Sequence, residues 1–323
     1  MIYPKSDHYD GQKFYNQNRE SRAEKDFFDL LKWMRNRNKR SWPKFHLGRK
    51  QAQLATDLKA NQAVVTFINH ATLLIQIDGA NILTDPVFAE RVSPLAQAGP
   101  KRVREPGLKI SELPKIDFIL LSHNHYDHLD LKALKEIFQK WNPQLICPLG
   151  HKAFFRKNKI LKVEELDWWH GLPFGDHLRF SLTPAQHWSS RSPFDRNLSL
   201  WGGFVIESNE LKIFFAGDTG YYDHFKQIHQ KFGRMDISLL PIGSYDPVWF
   251  MKDQHVNPRE SVMAHLDLDS QLSIGIHFGC FQLTDEGIHE PAHDLAVALK
   301  ELNVSSERFV VPDHGESFHY QKK

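Results

Sequence analysis

The stretch Ser122-His123-Asn124-His125-Tyr126-Asp127-His128 puts four metal-ligating side chains, His123, His125, Asp127 and His128, into six positions. Imidazole nitrogen and carboxylate oxygen are the ligands zinc takes in catalytic sites, and a site the protein does not fill keeps a position open for water. Without a cation the same cluster would press unpaired polar and like-charged groups together at a high desolvation cost. Two later segments end an apolar run on a residue of the same kind: Lys212-Ile213-Phe214-Phe215-Ala216-Gly217-Asp218 and Ser273-Ile274-Gly275-Ile276-His277. His187, after Phe180-Ser181-Leu182-Thr183-Pro184, is a third candidate.

These residues suffice for two metals rather than one. His123, His125 and His187 would make a neutral nitrogen set, Asp127, His128 and His277 the other, and Asp218 could bridge both. Two cations about 3.5 to 4 Å apart can share a hydroxide, because zinc-bound water has a pKa near 7. The same charges would stabilise the oxyanion that develops when that hydroxide attacks phosphorus or an acyl carbon.

Rigid elements must hold such a set. Asp117-Phe118-Ile119-Leu120-Leu121 reads as a buried strand that runs out at Ser122, so His123 and His125 project to one side while Asp127 and His128 belong to the turn. Asp130 is placed as the N-cap of a helix whose apolar face is Leu131, Leu134, Ile137 and Phe138. Further strands are expected at Val64 to Ile68, Leu73 to Ile77, Asn81 to Leu83, Gly203 to Ile206, Ile213 to Phe215, Ile237 to Leu240, Ile274 to Ile276 and Phe309 to Val311. Helical patterns lie near Leu131 to Trp141, Phe225 to Phe232, Pro258 to Leu266 and Pro291 to Leu302. Strands come in hairpin-like groups in both halves, and Ile82-Leu83-Thr84-Asp85 echoes Phe214-Phe215-Ala216-Gly217-Asp218, which points to an internal duplication. Two facing sheets with helices outside suit this α/β pattern, with the metals at one edge between the halves.

The 323 residues, with 41% hydrophobic and 25% charged side chains, are enough for one large α/β domain. Cys147 and Cys280 offer neither a disulfide framework nor a Cys-x-x-Cys pair, and Cys280 reads as a buried small apolar residue. No run has the apolar length of a signal or a bilayer span, so a cytoplasmic enzyme is expected. Net charge is +2 for the chain, yet residues 1 to 50 carry 13 Lys and Arg against 6 Asp and Glu. Residues 1–60 are therefore set apart as a basic extension, and 61–323 as the catalytic domain. Within the extension Phe27, Phe28, Leu30, Leu31 and Met34 fall at helical spacing beside Trp33, with Lys25, Lys32, Arg35, Arg37, Lys39 and Arg40 as a basic face. Such a helix could lie on an anionic membrane or dock on the catalytic domain. Nucleic acid is not an expected partner, since the body has no basic cluster interleaved with stacking aromatics. The oligomeric state is not legible.

The His-x-His-x-Asp-His loop followed by His187, Asp218 and His277 resembles the metallo-β-lactamase superfamily. Longer segments resemble the branch of phospholipases D that hydrolyse N-acyl-phosphatidylethanolamine, and their bacterial relatives. These are Leu83 to Phe88, Gly99 to Arg102, Glu165 to Trp169, Gln186-His187-Trp188, Phe214 to Tyr221, Pro241 to Gly243, Trp249 to Lys252, Gln254-His255-Val256 and His314 to Ser317. The resemblance implies an αββα sandwich and a dinuclear zinc hydrolase, with Mn2+ or Fe2+ as other metals, that cleaves a phosphodiester in a phospholipid. A bridging carboxylate such as Asp218 is typical of members that open phosphodiesters, thioesters and lactones, which disfavours β-lactam hydrolysis. A lactone hydrolase of the ascorbate-6-phosphate lactonase type is the rival enzyme, and a metal-stabilised binding protein without turnover is the rival from outside enzymology. By the same resemblance Gln254 and His255 handle the substrate phosphate, His255 and Asp127 are catalytic, and Asp85 accepts from the far nitrogen of a ligand histidine. His70 and His314 are assigned to architecture, and Asn69 stands where a glycine commonly precedes that histidine. His224, His229, His289 and His293 read as surface or packing residues.

Overall fold

The computed structural model describes residues 3–20, 25, 27–48, 50–95 and 97–322. Among these, the strands β1 (Gln62–Asn69), β2 (Thr72–Ile77), β3 (Ala80–Thr84), β4 (Phe118–Leu120), β5 (Gln144–Pro148) and β6 (Val163–Leu166) form one sheet, closed at its far edge by the last strand of the chain. The strands β7 (Gly171–Phe174), β8 (Leu178–Thr183), β9 (Gly203–Glu207), β10 (Lys212–Phe215), β11 (Ile237–Pro241), β12 (Leu272–Ile276) and β13 (Phe309–Val310) form the second sheet, and β14 (Ser317–Gln321) returns to pair with β1. The helices are α1 (Phe27–Arg35), α2 (Leu131–Trp141), α3 (Lys152–Lys157), α4 (His224–Phe232), α5 (Val248–Met251), α6 (Pro258–Asp267) and α7 (Glu290–Glu301).

Alternating β-branched and aromatic residues let each sheet bury both faces. Val65, Phe67, Leu73 and Ile75 of the first sheet meet Phe180, Leu182, Phe204, Ile213 and Phe215 of the second in a central apolar layer. On the outer face of the first sheet, Leu134 and Ile137 of α2 and Phe155 of α3 cover Leu83, Ile119 and Leu145. Phe225, Ile228, Val262 and Leu295 from α4, α6 and α7 cover the outer face of the second. The layers are therefore helix, sheet, sheet, helix: the αββα sandwich of the metallo-β-lactamase fold.

The duplication suggested by one short echo extends over the whole topology. In the order β14-β1-β2-β3-β4-β5-β6 the first three pairings are antiparallel and the last three parallel. The order β7-β8-β9-β10-β11-β12-β13 runs through the same sequence of pairings. Asp85 after β3 and Asp218 after β10 thus occupy equivalent places. Asn69, in place of glycine, fits the turn it enters: the left-handed residue is His70 (φ +45°), and the Asn69 amide donates to Val87 O at 3.1 Å.

The N-terminal residues are stitched into this body. Phe14 and Tyr9 are buried in the central layer. His8 stacks on Trp168, with ring centroids 4.5 Å apart, and its Nε2 lies 2.7 Å from Asp167 Oδ1. Burial lowers the His8 pKa, but the hydrogen bonds to Asp167 and Asp7 outweigh it and raise the value above that of free histidine. Helix α1 lies on the body through Trp33, which stacks on Phe250 at 4.8 Å and donates from Nε1 to Asp285 Oδ2 at 2.8 Å. Half of the expected basic face is spent on ion pairs: Lys25 with Asp253, Arg37 with Asp285, and Arg40 with Asp246 and Glu290. Phe28, Leu31 and Met34 remain 76%, 44% and 61% exposed, while the Phe27 side chain lies outside the described residues. Among the described residues no helix is long and apolar enough to cross a membrane.

Candidate metal centre

Parallel pairing of β3 with β4 delivers Asp85 and the Ser122 to His128 loop to the same edge of the first sheet. In the second sheet β10 and β12, on either side of β11, deliver Asp218 and His277 to the facing edge. The chain curls sharply as it leaves these strands, with positive φ at His70 (+45°), Asp85 (+31°), Gly217 (+61°) and His277 (+59°). For residues other than glycine that conformation costs roughly 1 to 2 kcal/mol, and such strain gathers where a site needs it. At Gly217 glycine is required twice over, since a Cβ would stand 2.6 Å from Ser122 Cβ. Beyond the loop the Asp130 carboxylate accepts from Lys132 N and Ala133 N at 3.0 and 3.1 Å, the N-cap that starts α2.

The expected residues converge. His125 Nδ1 lies 2.9 Å from His123 Nε2 and 3.3 Å from His187 Nε2. Asp127 Oδ2 lies 3.3 Å from His277 Nε2 and 3.6 Å from His128 Nε2. Asp218 Oδ2 sits between the two groups, 3.1 Å from both His128 Nε2 and His277 Nε2 and 3.8 Å from His187 Nε2. Nitrogen and oxygen atoms gathered this closely are of the types that could hold a metal ion. His128 Nε2 and Asp218 Oδ1 are, moreover, buried without a hydrogen-bond partner among the described residues, a cost that a bound cation removes.

Charge balance supports the same fit. Burial holds His123 well below the usual histidine value, with neighbouring imidazoles acting in the same direction, and takes His125 and His187 down to about 3. Unprotonated imidazole is the form that binds a cation. Burial pushes the Asp127 and Asp218 carboxyls up, but the surrounding histidines, His128 foremost, outweigh it and keep both well below the carboxylate range. His128 and His277 move the other way. Burial lowers both, yet Asp218 and Asp127 hold His128 well above its ordinary value and His277 at about 9. Two carboxylates thus demand positive charge here, and a divalent cation that supplies it must displace the protons of His128 and His277.

The supporting contacts explain the rigidity. Asp85 Oδ2 accepts from His128 Nδ1 at 2.6 Å and from Ser122 Oγ at 2.5 Å, and its Oδ1 accepts from Ser122 N at 2.7 Å. That places it against the far nitrogen of a ligand-type histidine. The Gln254 carbonyl accepts from His187 Nδ1 at 2.9 Å, and the Gln254 Oε1 accepts from Trp188 Nε1 at 2.6 Å. Arg191 braces the metal loop by donating to Asn124 O and Leu129 O at 2.9 and 3.0 Å, with its guanidinium 4.0 Å over the Tyr126 ring.

Two residues stand differently from the reading of the sequence alone. His70, assigned there to architecture, has Nε2 3.1 Å from Asp127 Oδ2, and falls in one group with Asp127, His128 and His277. The signal was present, because Val64 to Ile68 is another apolar strand ending near a histidine. His255 lies with His187 and Asp218 within ligand distance of one another, its Nδ1 3.8 Å from Asp218 Oδ2. Its geometry thus admits a ligand role beside the substrate role. His314 is buried away from this group and donates from Nδ1 to Glu105 O at 2.8 Å.

A cleft of about 370 Å³ opens onto the cluster. His125, Asp127, Asp218 and His255 reach it, Leu30, Trp33, Phe250, Met251 and Leu283 give it apolar lining, and Lys25, paired with Asp253, and Arg196 stand at its wall.

Residues 80–278 match the family described as a beta-lactamase superfamily domain. The chain is 40% identical over 266 residues to N-acyl-phosphatidylethanolamine-hydrolyzing phospholipase D 1 of Caenorhabditis elegans, which covers 78% of this chain and 74% of the relative. It is 39% identical over 246 residues to the mitochondrial N-acyl-phosphatidylethanolamine-hydrolyzing phospholipase D of Saccharomyces cerevisiae, covering 74% of this chain and 52% of that protein's length. Among solved structures, the Ignicoccus hospitalis metallo hydrolase Igni18 aligns with a TM-score of 0.62 at 18% identity, over 81% of this chain and 100% of that one. The isothiocyanate hydrolase from Delia radicum gut bacteria aligns at 0.64 and 20% identity, over 80% and 100%. At these identities the two structures show likeness of fold.

Proposed function

From the premise that this chain belongs to the β-lactamase superfamily domain family and is a metal-dependent hydrolase, we propose that it cleaves a phosphodiester bond in an N-acylated phospholipid, with two zinc ions. The observation that carries the reading is the cleft, where the polar cluster is reached past an apolar wall. A substrate with an anionic diester beside a long hydrocarbon chain suits both parts. The names of the two phospholipase relatives support the same substrate class.

In this reading His123, His125 and His187 would hold one cation and Asp127, His128 and His277 the other, with Asp218 available to both sets. Bound cations would supply a nucleophile from water at neutral pH and positive charge for the developing oxyanion. The chain's own part is to hold these side chains in register: Asp85 fixes the His128 ring, Gln254 O fixes the His187 ring, and Arg191 fixes the loop between them. His255 would contact the phosphate or donate the proton that the leaving alkoxide needs.

Activity against an N-acylated phospholipid, a simple soluble phosphodiester and a lactone, measured side by side on zinc-loaded protein, tests the assignment. The phospholipid is expected to turn over fastest and the lactone slowest. Faster lactone opening would transfer the assignment to the lactonase reading, and a loaded protein inert to all three would favour a binding role.

Access to a lipid would run across α1. Its inner side lines the cleft through Leu30 and Trp33, and Phe28, Leu31 and Met34 point outward. Replacing Phe28 and Leu31 with Asp removes two apolar contacts worth roughly 1.5 to 3 kcal/mol each when buried. Sedimentation with anionic vesicles should then fall by about tenfold or more, while hydrolysis of the soluble diester is unchanged. Vesicle binding equal to that of the unaltered protein would leave α1 with its docking role alone. Point substitutions are the right probe, because deleting the N-terminal segment would also remove Phe14 from the core.

A further inference from the structure

Like the other ligand-type residues, His187 lies on a loop outside the named strands, four positions after β8, so no strand partner fixes its main chain. Its neighbour Gln186 is tied to Gly220 by an isolated bridge. His187 is nonetheless buried, and its N–H and C=O must find partners or pay a desolvation cost.

Both partners come from one side chain that lies 171 positions away. Asn16 Nδ2 donates to His187 O at 2.9 Å, and His187 N donates to Asn16 Oδ1 at 3.0 Å. A primary amide can donate and accept at once, so Asn16 supplies what a neighbouring strand would. The same Oδ1 accepts from Trp201 Nε1 at 3.1 Å, which aims the amide. Asn16 is itself anchored on both sides. Phe14 is buried with its N–H on Asn197 O at 2.9 Å, Tyr15 N donates to His8 O at 2.8 Å, and Gln17 Nε2 donates to Gln227 Oε1 at 3.1 Å.

We infer that Asn16 is a positioning residue for the metal set of His123, His125 and His187, and that the N-terminal segment is by this contact a working part of the metal centre. The inference rests on the two-cation reading above. With the main chain held by Asn16 and Nδ1 by Gln254 O, the His187 ring is left with Nε2 facing His125. Release of the main-chain clamp lets the ring tilt away, and loss of such outer support typically weakens metal affinity by about 10- to 100-fold. The other set has its own supports in Asp85 and Ser122 and does not depend on Asn16.

The test is zinc affinity in the full-length protein, read by competition with a chromophoric chelator, for the unaltered chain, Asn16→Ala and Asn16→Asp. The unaltered protein is expected to hold two zinc ions, and Asn16→Ala to lose about 10- to 100-fold at one site with the other unchanged. Asn16→Asp is nearly isosteric and can still accept from His187 N and Trp201. It cannot donate to His187 O, and sets a carboxylate oxygen against that carbonyl, so the same site should weaken. Cobalt-loaded protein should show a changed ligand-field spectrum for that site in both variants. Unchanged affinities in both, or equal weakening of both sites, would overturn the inference by making Asn16 either dispensable or a general scaffold residue. An unaltered protein that holds a single zinc strikes the two-cation reading instead. The inference is then decided by whether the affinity of that one ion moves in the variants.

Discussion

Asp218→Ala should cost at least one of two bound zinc ions and reduce turnover by roughly 10³-fold or more. Among the described residues no other side chain has its position: one oxygen lies 3.1 Å from His128 Nε2 and His277 Nε2 and 3.8 Å from His187 Nε2, at the junction of both ligand groups. Its removal leaves His128 and His277 without the carboxylate that offsets their charge, and leaves a gap where the buried Asp218 side chain meets the cleft. Metal content measured beside kcat checks the claim. A variant that keeps both ions and most of its activity would end the two-cation mechanism with Asp218 at its centre. A second substitution, Asp218→Asn, separates charge from shape. It preserves volume and one acceptor oxygen but not the negative charge, and should resemble the alanine variant if charge is what matters.

The second large effect is expected at His255. The residue reaches the cleft and its main-chain N–H is held by Met251 O at 2.9 Å, so the imidazole can be removed without moving the loop. If it binds the phosphate or protonates the departing alkoxide, His255→Ala should keep two zinc ions and lose about 10² to 10⁴ in turnover. A proton-donating role makes the loss shrink for an aryl leaving group, which departs without protonation, whereas phosphate binding predicts equal losses for alkyl and aryl diesters. Burial takes the His255 imidazole down to about 3, against the opposing pull of Asp218. At neutral pH the free enzyme therefore holds it neutral, able to accept a proton or a cation, and it can act as an acid only once an anionic substrate raises it. Loss of a zinc ion from His255→Ala would assign it to the ligands, as its place beside His187 and Asp218 allows. An unchanged rate with both diesters would return it to the loop residues.

Where the sequence was legible, a strong local pattern met a strong tertiary constraint. Phe118 to Leu121 is apolar and ends on ligands, and the helix after it begins at the residue that Asp130 caps. Cys280 is buried, as its type suggests. Of the segments that were not read as strands, β5 (Gln-Leu-Ile-Cys-Pro) and β8 (Leu-Arg-Phe-Ser-Leu-Thr) do carry apolar, buried residues and went unread, whereas β6, β7 and β14 lack that pattern. Strand β6 is Val-Glu-Glu-Leu, with an exposed Glu164, and β7 is Gly-Leu-Pro-Phe, at the rim of its sheet where proline is tolerated. Strand β14 is polar because it too is a sheet edge. The contacts of Asn16 and Arg191 lie 171 and about 65 positions away in the chain, and no periodicity announces a side chain whose only signal is the backbone it meets. His70 was legible by the strand-then-histidine pattern that revealed His277, but a family position that had no catalytic assignment masked it.

The repeated strand order carries a mechanical consequence. Among the described residues the strands of each half pair within their own sheet apart from β14, and the seam between the sheets is held by packed side chains together with a few main-chain hydrogen bonds such as His277 N to His70 O at 2.8 Å and Gly202 N to Ser122 O at 3.1 Å. The candidate ligands are divided across that seam: His123, His125, Asp127 and His128 come from the first half, and His187, Asp218 and His277 from the second. Cations held by such a set would act as rivets between two laminae, and their binding free energy would add to the cohesion that keeps the laminae from sliding. On the two-cation proposal, removing the ions would therefore loosen the walls of the cleft as well as take away its chemistry.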